Sequence, residues 1–551
     1  MKMKIKMTSY FQMGLLVTVA CCCPAWVGAT PEHSLENPRL NPWLTPLNDC
    51  ISHPGSYALD IDMGFLNTDY SCQITDKAGV QFDTHTVQQA RNDAARLVLS
   101  LANQCNRLDS TRILVGASRN NVEQLKGLIP AYASQAIVLI EKNSQLKTPD
   151  ETHAKVFQLG NGVDKFFTVH GSLNLQTVGL TCKANNSLRF VEKTPVLYRH
   201  FRQLADAVEF NTGHSRFAGG TGTLNSSGTA LPDAAIGNYV VQFYAGRSNG
   251  FVGGTTATND QNWPAYINPA ITGQHQDGTI NWYDNAIYDA ARQLRQGRSV
   301  RLDVLVFEVG EENAFVNNLW KFVRQGFATH QTEDKTSAEL VDVQFPGNLQ
   351  VRFLYQFQNQ KVQSGRTFSN LNDAAQVPVQ SAASGNPYSL VSGKVWTVFN
   401  AAGQAVDPTT PYDMHNKLVL LDVVGHEELR KLYVTSSNLD EPGQGSGKLW
   451  QAGTIVSAKP GSDIWSGPNI ASPNLWNAYR KYFEMLWNNR DGQPNAGQVN
   501  FHRQISAQHQ NNAMNWIETI PSQSSTEGTR VQEGIDAFFF PIPYAPSGPD
   551  S

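Results

Sequence analysis

Two stretches of this 551-residue chain carry the same uncommon residues in the same order, and that repetition constrains the fold more than any other feature. The first runs from Thr152 to Gln176 and holds His153-x-Lys155, an apolar run, a turn, and then Ser172-x-Asn174. The second runs from Met414 to Asp440 and holds His415-x-Lys417 and Ser436-x-Asn438 in the same sequence. His153 and Ser172 are nineteen residues apart and His415 and Ser436 twenty-one. On a strand, side chains two apart share a face, so each His projects beside its Lys and each Ser beside its Asn. A single His-x-Lys means little, but two copies with matched followers imply an internal duplication and two half-sites that face each other.

The surrounding pattern repeats as well. In the first half, periodicity predicts helices over 86–104, 121–129 and 195–210, and strands at 113–115, 136–140 and 166–169. The second half predicts helices over 281–296, 312–325 and 473–488, and strands at 302–309, 351–357 and 432–434. The expected fold is therefore α/β: two similar α/β/α halves in pseudo-twofold relation, each a mixed sheet flanked by helices. The boundaries read as a first, cysteine-bearing half at 30–215, a Gly/Ser/Thr-rich linker at 216–237, a second half at 238–520 and a C-terminal tail at 521–551. Residues 246–278 and 358–407 read as irregular surface insertions. Gly219-Gly220-Thr221-Gly222 lacks the Gly-Lys-Ser/Thr of a phosphate-binding loop and reads as linker.

Lys2, Lys4 and Lys6, an apolar run from Met13 to Ala20 and small residues at Val27-Gly28-Ala29 read as a signal peptide at 1–29, cut after Ala29. The expected location is secreted or periplasmic. Loss of three lysines takes the formal net charge from −4 to −7, which argues against a broad nucleic-acid footprint. Cys50, Cys72, Cys105 and Cys182 would remain, an even number that suggests two disulfides in any of three pairings. No metal-ligand spacing is present, and no cofactor is expected.

The repeated residues define a chemistry. Lysine offers a fixed positive charge to phosphate oxygens. Histidine serves as nucleophile or general acid near neutral pH. Serine and asparagine are neutral donors for oxygens that gain charge in a transition state. One half supplies half of a phosphate cage, and two halves complete it.

These residues resemble the duplicated His-x-Lys-x4-Asp and Gly-Ser-x-Asn signature of the phospholipase D superfamily. The second copy, His415 to Asp422, matches in full, with Thr435 where Gly is usual. The first matches at His153, Lys155, Gly171, Ser172 and Asn174 and departs at Gly160, where Asp is expected, with Asn161 or Asp164 as possible substitutes. The resemblance implies a metal-free, two-step phosphodiester displacement through a phosphohistidine. It assigns His153 as nucleophile and His415 as general acid/base, with the reverse order open. Lys155, Lys417, Ser172, Asn174, Ser436 and Asn438 would surround the phosphate, with Asp422 in the catalytic motif. Where the family often places a Glu to orient each His, this chain offers Ser187 and Gln451. The expected substrate is phospholipid at a membrane surface or lipid aggregate, giving phosphatidic acid by hydrolysis or transphosphatidylation. The expected protein is a monomer without a stable nucleic-acid partner. A secreted nuclease and a catalytically impaired phosphodiester-binding protein are the alternatives. Trp263, Trp282 and Trp465 could rim an acyl-chain site, whereas Trp320 and Trp487 read as core.

Overall fold

A computed structural model places the two His-x-Lys strands at the centre of two β-sheets. It describes residues 42–53, 57–64, 66–67, 111–116, 137–140, 151–176, 183–211, 232–246, 284–307, 347–356, 379–380, 387–396, 414–438, 449–462, 465, 475–488 and 533–540. The expected signal peptide, the helices expected at 86–104, 121–129 and 312–325, the insertion at 246–278 beyond its first residue, and Cys72, Cys105, Cys182, Trp263, Trp282 and Trp320 lie outside these. Cys50, at the end of the first helix, is buried and disulfide-bonded.

In chain order the first elements are α1 (Leu44–Ile51), β1 (Ala58–Met63), β2 (Leu66–Asn67), β3 (Arg112–Gly116), β4 (Ile137–Ile140) and β5 (Glu151–Thr152). Next come β6 (Lys155–Gly160), β7 (Phe166–Gly171), β8 (Leu175–Gln176), β9 (Asn185–Glu192) and α2 (Val196–Asn211). The second series is β10 (Ala234–Ile236), β11 (Tyr239–Gly246), α3 (Asp284–Arg295), β12 (Val300–Val306), β13 (Leu349–Gln356), β14 (Val379–Gln380) and β15 (Pro387–Trp396). It closes with β16 (Lys417–Val423), β17 (Lys431–Thr435), β18 (Leu449–Ala458), α4 (Leu475–Asn488) and β19 (Gly534–Phe540).

The seven strands of the first sheet have counterparts in the second, which adds β10 and β14 at its edges and β5 beside β18. The first has the order β19-β9-β7-β6-β1-β3-β4, and the second β10-β11-β18-β17-β16-β12-β13-β15-β14. β1, β3 and β4 run parallel, as do β12, β13 and β15. β6 returns antiparallel beside β1, and β16 beside β12. β6 and β16 are buried throughout, which is why they read as apolar runs rather than alternating ones. The expected α/β class with two similar mixed-sheet halves is what the chain forms.

The edges cross over. After α2 the chain forms the β10–β11 hairpin, whose β11 pairs with β18 of the second sheet, and the strand that follows α4, β19, pairs with β9 of the first. The segment after α2 thus joins the second sheet and the segment after α4 joins the first. One core, including Phe201, Phe243, Leu418, Trp476, Phe483 and Phe539, spans both.

Three expectations change here. Part of the presumed insertion at 358–407 is β15, paired in full with β13, and a parallel partner distant in sequence leaves no local mark. Part of the presumed tail is β19, which buries Ile535, Ala537 and Phe539 and pairs Asp536 with Arg189 at 2.7 Å. Part of the presumed linker is β10. Trp465 is fully buried against Tyr239 and Trp476, so it is core rather than rim. Trp487, stacked on Phe483, is core as expected.

Local chemistry explains the element ends that matter. α2 starts where the buried Glu192 carboxylate accepts the amides of Val196, Leu197 and Tyr198 at 2.9, 2.8 and 2.7 Å. Burial still pushes Glu192 up to about 7. α3 ends at Gly297, whose φ of 77° is the left-handed turn expected after a helix. The two-residue difference between the motif copies lies in their turns. Asn161 Oδ1 accepts the amides of Val163, Asp164 and Lys165 in the first, whereas the second inserts a short 3-10 turn at Glu427–Leu429.

Candidate active site

The two half-sites interlock. His153 donates its backbone N–H to Trp450 O at 2.8 Å, and His415 donates its own to Ala184 O at 2.8 Å. The ring of each histidine also meets the opposite half. His153 Nδ1 lies 3.1 Å from Gln451 Oε1, and His415 Nδ1 lies 3.0 Å from Asn185 Oδ1 and 3.1 Å from the carbonyl of Ser172. A carbonyl can only accept, so the His415 Nδ1 carries the proton and its Nε2 is the free nitrogen.

The serines hold the amides in place. Ser436 Oγ donates to Gln451 Oε1 at 2.8 Å, and Ser172 Oγ approaches Asn185 Oδ1 at 3.2 Å. Each serine Oγ also accepts a backbone amide of the neighbouring strand, Ala452 N–H and Asn186 N–H respectively. Their hydroxyls are committed to orienting the amides that orient the imidazoles, and this is a supporting role rather than direct phosphate contact. Lys155 and Lys417 are buried, and each donates to the carbonyl of its own histidine, at 2.9 and 3.2 Å. Asn174 and Asn438 follow two residues beyond the serines and are likewise buried.

Both histidines are buried, with His153 3% and His415 8% exposed. Burial and then the positive charges of Lys417, Lys183, Lys155 and His153 hold the proton affinity of His415 well below the ordinary histidine range. His153 and Lys155 belong to the other half, so the two copies converge on one electrostatic centre. The neutral amides at Nδ1 do nothing to oppose this shift, whereas a carboxylate would.

Several expected residues fall elsewhere. Asp422 sits at the far end of β16 among Arg301, Arg430 and Arg480, at 2.6, 2.8 and 3.2 Å, and braces the sheet rather than the reaction. At its counterpart Gly160, a Cβ would come within 2.8 Å of the Tyr198 hydroxyl oxygen, so an aromatic ring fills that place. Asn161 and Asp164 form the exposed hairpin turn and do not substitute for it. The amide at His415 is Asn185, not Ser187. The signal was available: Ser172 to Asn185 is thirteen residues and Ser436 to Gln451 fifteen, both in the strand that follows. Gly171 is required because a Cβ there would lie 2.4 Å from Asn186 O, whereas Thr435 has room and donates to Ala452 O at 2.8 Å.

Two further buried groups flank the motif strands. Asp62 accepts from Thr152 Oγ1 at 2.5 Å, bracing the residue before His153, and burial raises it to about 7. His170 is fully buried against Phe201, and burial lowers it to about 3, so it stays neutral as a core residue. His426 is solvent-facing beside Glu428. Among the described residues no group of three or more His, Cys, Asp or Glu could hold a metal ion, and no helix is long and apolar enough to cross a membrane.

No family model and no curated protein matches the sequence. Among solved structures the chain is similar to polyphosphate kinase from Porphyromonas gingivalis, at 8% identity and TM-score 0.39, covering 80% of this chain and 47% of that one. It is similar to phosphatidylserine synthase from Haemophilus influenzae, at 9% identity and TM-score 0.39, covering 81% and 82%. A mutant of yeast tyrosyl-DNA phosphodiesterase follows at 10% identity and TM-score 0.34, covering 74% and 84%. The chain spans about half the length of the kinase.

Proposed function

We propose that this chain is an exported phosphodiesterase of the phospholipase D superfamily that cleaves phospholipid to phosphatidic acid and a free alcohol. The observation that carries the reading is the crossed pair of imidazoles, each held at Nδ1 by a side-chain amide of the opposite half. That arrangement commits both Nδ1 atoms and assigns the two Nε2 atoms to one phosphorus, in a centre whose charge comes from Lys155 and Lys417. A single chain supplies both halves, so the protein acts as a monomer at a lipid surface, and no cofactor is called for.

His153 Nε2 attacks phosphorus and forms a P–N bond as the P–O bond to the head-group alcohol breaks. His415 gives that oxygen its proton. His415 then takes a proton from water, the resulting hydroxide attacks phosphorus, and the P–N bond breaks to release phosphatidic acid. An alcohol in place of water gives transphosphatidylation. Lys155 and Lys417 balance the phosphoryl charge, with Asn174 and Asn438 as neutral donors to its oxygens.

Chelator-treated protein assayed in parallel on phosphatidylcholine, phosphatidylethanolamine and DNA is expected to turn over lipid and leave DNA intact. Cleavage of DNA with lipid untouched would make it a nuclease of the same mechanism, and binding without turnover an inactive relative. The pH profile follows from His415. It must be protonated to act as acid, and its affinity for that proton in the free protein is depressed. kcat/KM is therefore expected to fall as pH rises through a value below the ordinary histidine pKa of about 6.5. Asn185→Asp places a carboxylate at Nδ1 and should move that fall upward by about 1–3 pH units. An alkaline limb that stays fixed in this variant would rule out His415 as the acid.

A further inference from the structure

The duplicated site is not symmetric, and both departures lie beside His415. Met63 stands opposite Lys155 and Val306 opposite Lys417, so the residues that follow, Gly64 and Phe307, occupy equivalent places. Gly64 leaves no room: a Cβ there would be 3.2 Å from the ring of His153. Phe307 instead sets its ring centroid 4.7 Å from that of His415, with Lys417 Nζ at 4.9 Å and Lys183 Nζ at 5.9 Å from the Phe307 centroid. Lys183 breaks the symmetry in the same place. It precedes Ala184, which holds the His415 amide, whereas Leu449 precedes Trp450, which holds that of His153. One half-site therefore has a glycine and a leucine, and the other an aromatic wall and a third lysine.

The scissile phosphodiester brings one negative charge, and the buried pair Lys155 and Lys417 answers it. Lys183 adds a further positive charge on one side only, and the charges that act on His415 are all positive. In an in-line displacement by His153, the departing head-group oxygen lies on the His415 side. We propose that Lys183 and Phe307 form a head-group subsite that selects phospholipids whose head group carries a negative charge of its own. This rests on the phospholipase reading. A head-group carboxylate would pair with Lys183 and pack its alkyl portion against Phe307. It would also offset one of the charges that keep His415 unprotonated, so the preferred substrate helps to protonate the acid that expels it.

The test uses short-chain phosphatidylserine and phosphatidylethanolamine below their micelle concentrations, which differ by one carboxylate and present no charged interface. The wild-type protein should favour the serine lipid in kcat/KM by about tenfold, the scale of one hydrogen bond to a charged group. Lys183→Gln should bring the ratio to about one, and Lys183→Arg should keep it. The ratio matters rather than either rate, because Lys183 also acts on His415 and moves both. A wild-type ratio near one, or a ratio that survives Lys183→Gln, would overturn the subsite. Turnover of neither lipid would instead remove the phospholipase reading and the subsite with it.

Discussion

His153→Ala and His415→Ala are each expected to cripple phosphodiester turnover while leaving the fold in place, and to do so in different ways. Loss of His153 removes the atom that bonds to phosphorus, so the expected fall is about 10^4-fold or more for every substrate. Loss of His415 removes an acid, worth about 10^2–10^4-fold when the leaving group is an alkoxide. A p-nitrophenyl phosphodiester expels a weakly basic phenolate and needs no acid. His415→Ala should therefore release a burst of nitrophenolate and then stall, because the same residue must activate water in the second step. The stalled protein should carry the phosphoryl group on His153, readable by mass spectrometry under non-acidic conditions. A label on residue 415 in the reciprocal His153→Ala protein would reverse the roles. Unchanged turnover in either variant would end the mechanism. Both histidines sit just before their motif strands, with backbone amides tied to the opposite half, so alanine leaves those ties intact.

The parts of this architecture that were legible in sequence share a local cause. The motif strands β6 and β16 are buried on both faces, which writes a continuous apolar run, and their functional residues follow the two-residue period of a strand. Helices α2, α3 and α4 announce themselves by their own apolar faces. What could not be read is pairing at a distance. Nothing in Gly534 to Phe540 names β9 as its partner, and nothing in Tyr239 to Gly246 names β18. The same holds for Asn185: its type and spacing were visible, but the role depends on an imidazole 230 residues away. Asp422 misled in the opposite sense. A motif residue read as catalytic belongs to an arginine cluster that holds the strand from behind.

The duplication extends to a second buried constellation, and it supports the largest stability effect expected of a single substitution. Asp60 on β1 pairs Arg112 on β3 at 2.6 and 3.0 Å, and Arg112 also reaches Asp206 and Glu209 of α2 at 2.6 and 3.2 Å. By strand register the equivalent pair is Asp303 and Arg352, at 2.6 and 2.7 Å, with Glu484 of α4 at 2.9 Å. The two networks differ in exposure: Arg112 and Glu209 are 0% and 2% exposed, whereas Arg352 and Glu484 are 13% and 33%. Arg112→Ala removes the buried cation shared by Asp60, Asp206 and Glu209 and leaves Arg202 on Asp60, a loss of about 3–5 kcal/mol. Arg352→Ala should cost less, because Arg480 and Arg301 still contact Glu484 and Asp303, and water reaches Glu484. Both variants should nevertheless shift one shared unfolding transition in urea. β11 and β19 are exchanged between the sheets and the core runs through both, so neither half keeps a complete sheet when the other melts. Two separated transitions, with Arg112→Ala moving only one of them, would show that the exchanged strands do not couple the halves.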